Sequence, residues 1–324
     1  QRQMCIRDSI NGTSDWVYEE ELGIRDGFRW SPDGSQIAFW NFDSSGVDKF
    51  ALINNTDSLY PEITLIPYPK AGTTNSAVRI GVVDATGGAI RWMNVPGDPR
   101  DSYLARMDWC DDSETLILQH LNRLQNTTDV LLADVATGEV RPAHQDRSET
   151  WVDVMDDLEW LEGSEEFLWL SEKDGWRHAY RVRRDGTSEK LITRFDADVI
   201  SLVGLGAGEE WLYFLASPDN ATLRYLYRAR VDGSGTPERV SPADQPGSHS
   251  YDLSPNGVYA FHTYSQFDVP PVVDLVRLPG HETVRVLEDN AELASKLTDL
   301  VQPPVEFFQT GAEDGVYLDS WMLK

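Results

Sequence analysis

The sequence predicts an all-β chain folded as a β-propeller, and three observations carry that expectation. A short motif returns roughly every fifty residues, each copy is followed by short strands joined at tight polar turns, and the pattern stops near residue 288. Repeats with four short strands in 40–50 residues are the signature of propeller blades. The motif is an apolar or aromatic residue, a polar turn, then an apolar run. It reads Phe28-Arg29-Trp30-Ser31-Pro32-Asp33-Gly34-Ser35 before Gln36 to Trp40, and returns as Met107 to Glu114 before Thr115 to Leu118. Further copies are Leu158 to Ser164 before Phe167 to Leu170, Leu202 to Gly208 before Trp211 to Phe214, and Tyr251 to Gly257 before Val258 to Phe261.

Markers at 109, 160, 205 and 253 are separated by 51, 45 and 48 residues, whereas 30 and 109 are separated by 79, so the first unit carries an insertion. Each unit adds a second strand pair, such as Asp129 to Asp134 with Val140 to Pro142 around Thr137-Gly138, and His178 to Val182 with Lys190 to Thr193 around Asp185-Gly186. Asp-Gly, Thr-Gly and Pro-Asn-Gly between alternating runs is hairpin chemistry. Five blades follow, at 28–98, 105–142, 158–193, 199–242 and 250–287, and the ring is expected to be incomplete at its amino end.

Beyond the fifth blade, Asn290 is placed to cap a helix whose Leu293, Leu297, Leu300 and Val301 form one buried stripe, ended by Pro303-Pro304. Val305 to Thr310 and Val316 to Leu323 read as a hairpin. Residues 10–289 are therefore expected to be a partial propeller and 290–324 a linker helix with the start of a junction to another domain. Gln1 to Ser9 fits none of these patterns and is read as a non-native leader, which removes Cys5 from consideration and leaves Cys110 without a disulfide partner.

The bulk numbers exclude whole classes of function. With 28 Lys and Arg against 54 Asp and Glu, the formal charge is −26, which repels phosphate backbones; no nucleic acid partner is expected. Two cysteines offer neither a disulfide framework nor metal spacing. Asp111-Asp112 and Asp156-Asp157 lack the ligand spacing of a calcium loop and read as solvated turns, so no metal and no cofactor are expected. There is no apolar run of the roughly 18 residues a membrane span needs. Asn11, Asn54, Asn126 and Asn220 lie in Asn-x-Ser/Thr sequons, which matter only in a host that glycosylates.

One cluster stands out chemically. Ser14 or Asp15 can cap a short helix that leads into Tyr18-Glu19-Glu20-Glu21, with successive glutamates about 100° apart around the axis. Two neighbouring carboxylates can flank one small cation, and an α-ammonium has three donors to share between them. No catalytic residue is assigned. The chain has no Gly-x-Ser-x-Gly turn, and Ser248, His249 and Asp252 are too close in sequence to assemble readily as a triad. His178 is read as a packing residue.

Three segments identify a family. They are Asn11-Gly12 through Asp15-Trp16-Val17-Tyr18-Glu19-Glu20-Glu21; Ile66-Pro67-Tyr68-Pro69-Lys70-Ala71-Gly72 followed by Asn75; and Leu287-Glu288-Asp289-Asn290 with Leu293. With Gly175-Trp176-Arg177-His178 between them, they resemble the amino-terminal region of the dipeptidyl peptidase IV family in the prolyl oligopeptidase clan, over residues 10 to 324.

The resemblance implies a ring of eight blades above an α/β-hydrolase domain, with about three blades upstream and the whole hydrolase downstream of these residues. It implies a serine exopeptidase that removes Xaa-Pro or Xaa-Ala dipeptides, with Glu20 and Glu21, but not Glu19, binding the free amino terminus of the peptide. The catalytic Ser, Asp and His would lie outside this chain, which alone would be inactive. A secreted or periplasmic location, with an anchor upstream as one variant, and a homodimer are further expectations. The alternative is a non-catalytic propeller, either a binding module or a homologue that has lost its serine.

Overall fold

Residues 8–161, 163, 165–267, 269–301 and 303–324 are described by the computed structural model of the chain. Met4 and Cys5, within the expected leader, lie outside the described residues. Ser9, the last residue of that segment, opens the first strand.

The first blade is built around β3 (Gln36–Asp43), and one edge of β3 is served by two short strands. In the first, β1 (Ser9–Asn11), the residues pair with Asp43 to Asn41; in the second, β2 (Phe28–Trp30), they pair with Phe39 to Ile37. The other edge of β3 pairs along its whole length with β6 (Ala77–Asp84), which in turn pairs with β7 (Arg91–Trp92). Between β3 and β6 a separate hairpin, β4 (Lys49–Asn54) with β5 (Glu62–Pro67), accounts for the long first repeat. The blade thus begins at residue 9 rather than 28. Its first strand is interrupted, and three-residue pieces carry too little alternation to be read from sequence.

Four four-stranded antiparallel sheets follow in sequence order. The second blade is β8 (Ser102–Trp109), β9 (Thr115–Asn122), β10 (Thr127–Asp134) and β11 (Val140–Arg147). The third is β12 (Glu159–Trp160), β13 (Glu166–Ser171), β14 (His178–Arg183) and β15 (Glu189–Leu191). The fourth is β16 (Val199–Leu205), β17 (Trp211–Ala216), β18 (Tyr225–Arg230) and β19 (Glu238–Arg239). The fifth is β20 (Ser248–Leu253), β21 (Tyr259–Gln266), β22 (Val269–Arg277) and β23 (Glu282–Glu288).

This is the β-propeller blade pattern, and the second strands show why their apolar runs are continuous. Ala38 to Phe42, Leu116 to Gln119, Phe167 to Ser171 and Leu212 to Ala216 are buried without a break, because a blade is covered on both faces. The chain divides into two compact units, residues 1–169 with 181–189, and residues 170–180 with 190–324. The first has a core that includes Trp40, Phe42, Ile80, Leu104 and Leu118; the second has one with Tyr213, Leu226, Ala260 and Val276.

A single device recurs at the outer hairpins. Asp134 Oδ1 accepts hydrogen bonds from the Thr137 N–H and hydroxyl, both at 2.8 Å, and Asp185 does the same for Thr187 at 3.0 and 2.6 Å. Those bonds, the hydroxyl's first, hold both carboxyls below the ordinary carboxylate range. The glycine in each turn then lies against the outermost strand region of the preceding blade. A Cβ on Gly138 would stand 2.5 Å from Trp92 O, and one on Gly186 would stand 3.0 Å from Ala143 O. In the second unit, one on Gly233 would stand 2.7 Å from Leu191 O. With φ near +75° as well, Gly138 is required twice over, by handedness and by space.

The first helix, α1 (Trp16–Glu20), interrupts the first strand, and a second follows the fifth blade. The element at Ala291–Thr298 (α2) ends before Pro303, and Leu300 and Val301 lie beyond it. The expected cap is displaced by one residue. Asp289 Oδ1 accepts the Ala291 N–H at 2.9 Å, while Asn290 adopts a left-handed φ of 49° and donates through Nδ2 to Pro271 O. Nor is the stripe buried, since Leu293, Leu300 and Val301 are exposed. The hairpin forms as β24 (Val305–Gly311) with β25 (Tyr317–Leu323). No helix among the described residues is long and apolar enough to cross a membrane.

The histidines pack within blades. His178 is buried, with Nδ1 2.9 Å from Asp174 Oδ2 and Nε2 2.8 Å from Phe195 O. His249 meets neither Ser248 nor Asp252: its Nδ1 lies 2.9 Å from His262 Nε2, and its Nε2 lies 3.0 Å from Gln245 O. On its other side, His262 faces Asp274 Oδ1 at 2.8 Å.

Two tests follow from this packing. Gly138→Ala should lower stability by about 2–4 kcal/mol in denaturant unfolding; a loss below the usual scatter for surface changes would dissolve the turn-to-strand contact. Burial holds His249 down at about 4, and it lowers His262 and His281 too. The unfolded chain takes up those protons near the ordinary histidine value, about 6.5. The contribution is thus complete above that value and is lost as pH falls toward about 4. The unfolding midpoint should decline over that window, and His249→Gln should flatten the decline; equal slopes would contradict the assignment.

Candidate functional site

The interruption of the first strand, residues 12–27, is closed at its neck by backbone alone. The Gly12 N–H donates to Trp40 O at 3.1 Å, the Gly27 N–H to Gly12 O at 3.2 Å, and the Trp40 N–H to Gly27 O at 3.0 Å. A Cβ on Gly27 would stand 2.5 Å from Thr13 N and Thr13 O, so no larger residue fits there.

Within this loop lies α1 (Trp16–Glu20). Of the two possible caps, Asp15 is the one used: its Oδ1 accepts the Tyr18 N–H at 3.0 Å. Burial raises the Asp15 carboxyl, against the opposing pull of hydrogen bonds from the Tyr18 N–H and Ser76. A helix of five residues does not stand by itself, and tertiary contacts hold this one. Val17, Tyr18, Leu22 and Ile24 are buried in the core of the first unit. The Tyr18 ring meets Phe42 edge-on with centroids 4.7 Å apart, and its hydroxyl oxygen accepts the Leu104 N–H at 2.9 Å. Burial pushes that phenol well above its ordinary value. Trp16 lies on Tyr68, with centroids 4.0 Å apart, which explains why the Ile66 to Gly72 segment accompanies the helix in sequence.

The platform beneath the helix is a bulge in β8. Register shifts between Leu104 and Arg106 against β9, leaving Ala105 as the extra residue. The nearby backbone groups find other partners: the Leu104 N–H goes to Tyr18, and Leu104 O accepts the Trp40 Nε1–H at 2.9 Å. Arg106 Nη1 donates to Ala105 O at 2.7 Å and to Leu22 O at 2.8 Å. The segment after the helix is thereby tied to the same bulge.

With Val17 and Tyr18 turned inward, Glu19, Glu20 and Glu21 are all exposed. Glu20 is the last residue of the helix and Glu21 its C-cap, still right-handed helical, with its N–H donating to Val17 O at 2.8 Å. Both predicted residues therefore sit at one corner, about 100° apart around the axis. It is an electrostatically unfavourable place for carboxylates. The C-terminal end of a helix is its negative end, the last turn contains no basic residue, and no cation among the described residues bonds to either side chain. Two such carboxylates can share the donors of one ammonium group through charge-assisted hydrogen bonds. Glu19, with its side chain likewise exposed, shares the helix but not its terminus. Neither the bulge nor the role of Arg106 was legible in the sequence, since neither leaves a periodic pattern. Tyr18, by contrast, stands within the most distinctive run of the chain.

The family model described as the dipeptidyl peptidase IV N-terminal region matches residues 6–271. A protein of Emericella nidulans named "Probable dipeptidyl peptidase 4" is 26% identical over 333 residues, covering 96% of this chain and 42% of that protein. The dipeptidyl peptidase 4 of Arthroderma otae is 24% identical, over the same shares of each. Among solved structures, Porphyromonas gingivalis dipeptidyl peptidase 4 superposes with a TM-score of 0.89 at 30% identity, covering 98% of this chain and 44% of that one. The chain thus spans less than half the length of these relatives. With its four-stranded blades and this match over most of its residues, the chain belongs to the dipeptidyl peptidase IV family, as part of that family's N-terminal propeller region.

Proposed function

We propose that Glu20 and Glu21 hold the free amino terminus of a peptide substrate, and that the propeller gates access to a serine exopeptidase releasing Xaa-Pro or Xaa-Ala dipeptides. The observation that carries this reading is a pair of exposed carboxylates, bonded by no cation among the described residues, on a helix held by Asp15, Val17 and Tyr18. A clamp on the amine fixes the distance from the substrate's first residue to the nucleophile, so cleavage falls after the second. In this reading the Ser, Asp and His of catalysis belong to an α/β-hydrolase domain outside these residues, and the 324 residues alone hydrolyse nothing. The setting is secreted or periplasmic. A second copy of the chain is a further partner, and the exposed apolar side chains of the β4–β5 hairpin, Phe50, Leu52, Ile53, Ile63 and Leu65, support that pairing.

In the full-length protein, Glu21→Ala should reduce kcat/KM for Gly-Pro-p-nitroanilide at least tenfold, about 1.4 kcal/mol of transition-state stabilisation. Secondary structure should be unchanged by circular dichroism. An unaltered kcat/KM would remove the clamp.

A further inference from the structure

We infer that Asp156 is a positioning residue of the amine site: by engaging the Arg106 guanidinium, it keeps that cation off Glu20 and Glu21. The inference rests on the clamp reading above and adds to it the residue that keeps the clamp open.

Arg106 is a cation that borders the segment directly after the two glutamates. Its Nη1 touches Leu22 O at 2.8 Å. Leu22 directly follows Glu21, and adjacent Cα atoms are about 3.8 Å apart. The guanidinium therefore stands within a side chain's reach of Glu21. An arginine so placed would be expected to pair bidentately with a carboxylate. It pairs instead with Asp156, whose Oδ1 accepts from Arg106 Nε at 2.5 Å, while Nη1 is spent on the Leu22 and Ala105 carbonyls. Nε and Nη1 are thereby taken up by Asp156 and the two carbonyls rather than by the exposed acids.

Asp156 does not occupy this position by chance of a mobile loop. The preceding residue, Met155, is gripped by the buried side chain of Gln119, which donates through Nε2 to Met155 O at 2.5 Å and accepts the Met155 N–H at 3.0 Å. Gln119 is the β9 residue paired with Arg106 across the bulge. One cross-strand pair thus supplies both the arginine and the side chain that brings a carboxylate to it. The sequence suggested a solvated Asp156-Asp157 turn; Asp156 pairs with Arg106 instead.

An ion pair this exposed, with 25% of the arginine and 70% of the aspartate side chain accessible, contributes little to stability. Its value lies in where it points the charge. Without Asp156, the Arg106 guanidinium is free to neutralise Glu21, and an incoming ammonium must displace it. Substrate binding then weakens while the chemical step is untouched.

The test uses the full-length protein with Gly-Pro-p-nitroanilide, and circular dichroism and the thermal midpoint to establish folding. Asp156→Asn should raise KM at least fivefold and leave kcat within twofold, whereas Asp156→Glu, which retains the charge, should keep the wild-type KM. Arg106→Gln combined with Asp156→Asn removes the competing cation while leaving an amide to donate to Leu22 O, and it should return KM to within twofold of wild type. An unchanged KM for Asp156→Asn, beside a raised KM for Glu21→Gln, overturns this inference and leaves the clamp standing. No effect from Glu21→Gln overturns both. A double variant as impaired as the single one would mean that a displaced loop, not a freed guanidinium, causes the loss, and it would also overturn the inference.

Discussion

Tyr18 is driven into the core of its unit by its ring and held at a fixed depth by its hydroxyl. The ring lies against Phe42 of the first blade, and the hydroxyl oxygen accepts a backbone N–H from Leu104 of the second. A buried phenol oxygen needs a partner, and the β8 bulge supplies one by releasing Leu104 from the regular ladder. Everything at the acidic corner follows from this. A five-residue helix has no stability of its own, so the placement of Glu20 and Glu21 is only as fixed as Tyr18. Asp15 at the start of the helix and Arg106 after its end reduce the remaining freedom at each side.

Electrostatics and packing oppose each other at this corner. Packing places two consecutive acids, Glu20 and Glu21, at the negative end of a helix, and nothing described in the fold offsets them. A structure selected for stability alone would place a lysine or arginine there. An arginine is in fact adjacent, but it is occupied by Asp156 and by carbonyls. The corner therefore keeps negative charge that no described side chain neutralises.

Much of the propeller was legible in the sequence because a blade's middle strands are apolar on both faces and its turns need particular residues. The third, fourth and fifth blades were expected at 158–193, 199–242 and 250–287, and their strands run over 159–191, 199–239 and 248–288. The Asp-Gly and Thr-Gly turns were readable because handedness and close approach leave few alternatives, as at Gly138. The failures have equally physical causes. The pairing of Ser9 to Asn11 depends on hydrogen bonds to a strand thirty residues away, which no local pattern records. The stripe of α2 was visible as a stripe, but periodicity reports only that a face is apolar, not that this chain covers it. Asn290 and Asp289 are both good caps, and only the left-handed backbone at Asn290 decided between them. At the acidic corner, residue types and helix were legible, whereas the arginine and its aspartate, fifty residues apart, were not.

The interrupted first strand separates the acidic corner from the scaffold. Because β1 and β2 both dock on one edge of β3, and the chain leaves and returns through Gly12 and Gly27, the ladder is continuous whatever the intervening residues do. Residues inside the loop can then drift, lengthen or exchange charge without disturbing blade registration, provided the two glycines and an inward-facing aromatic persist. A propeller built this way can acquire a different appetite for ligands by rewriting a single short excursion.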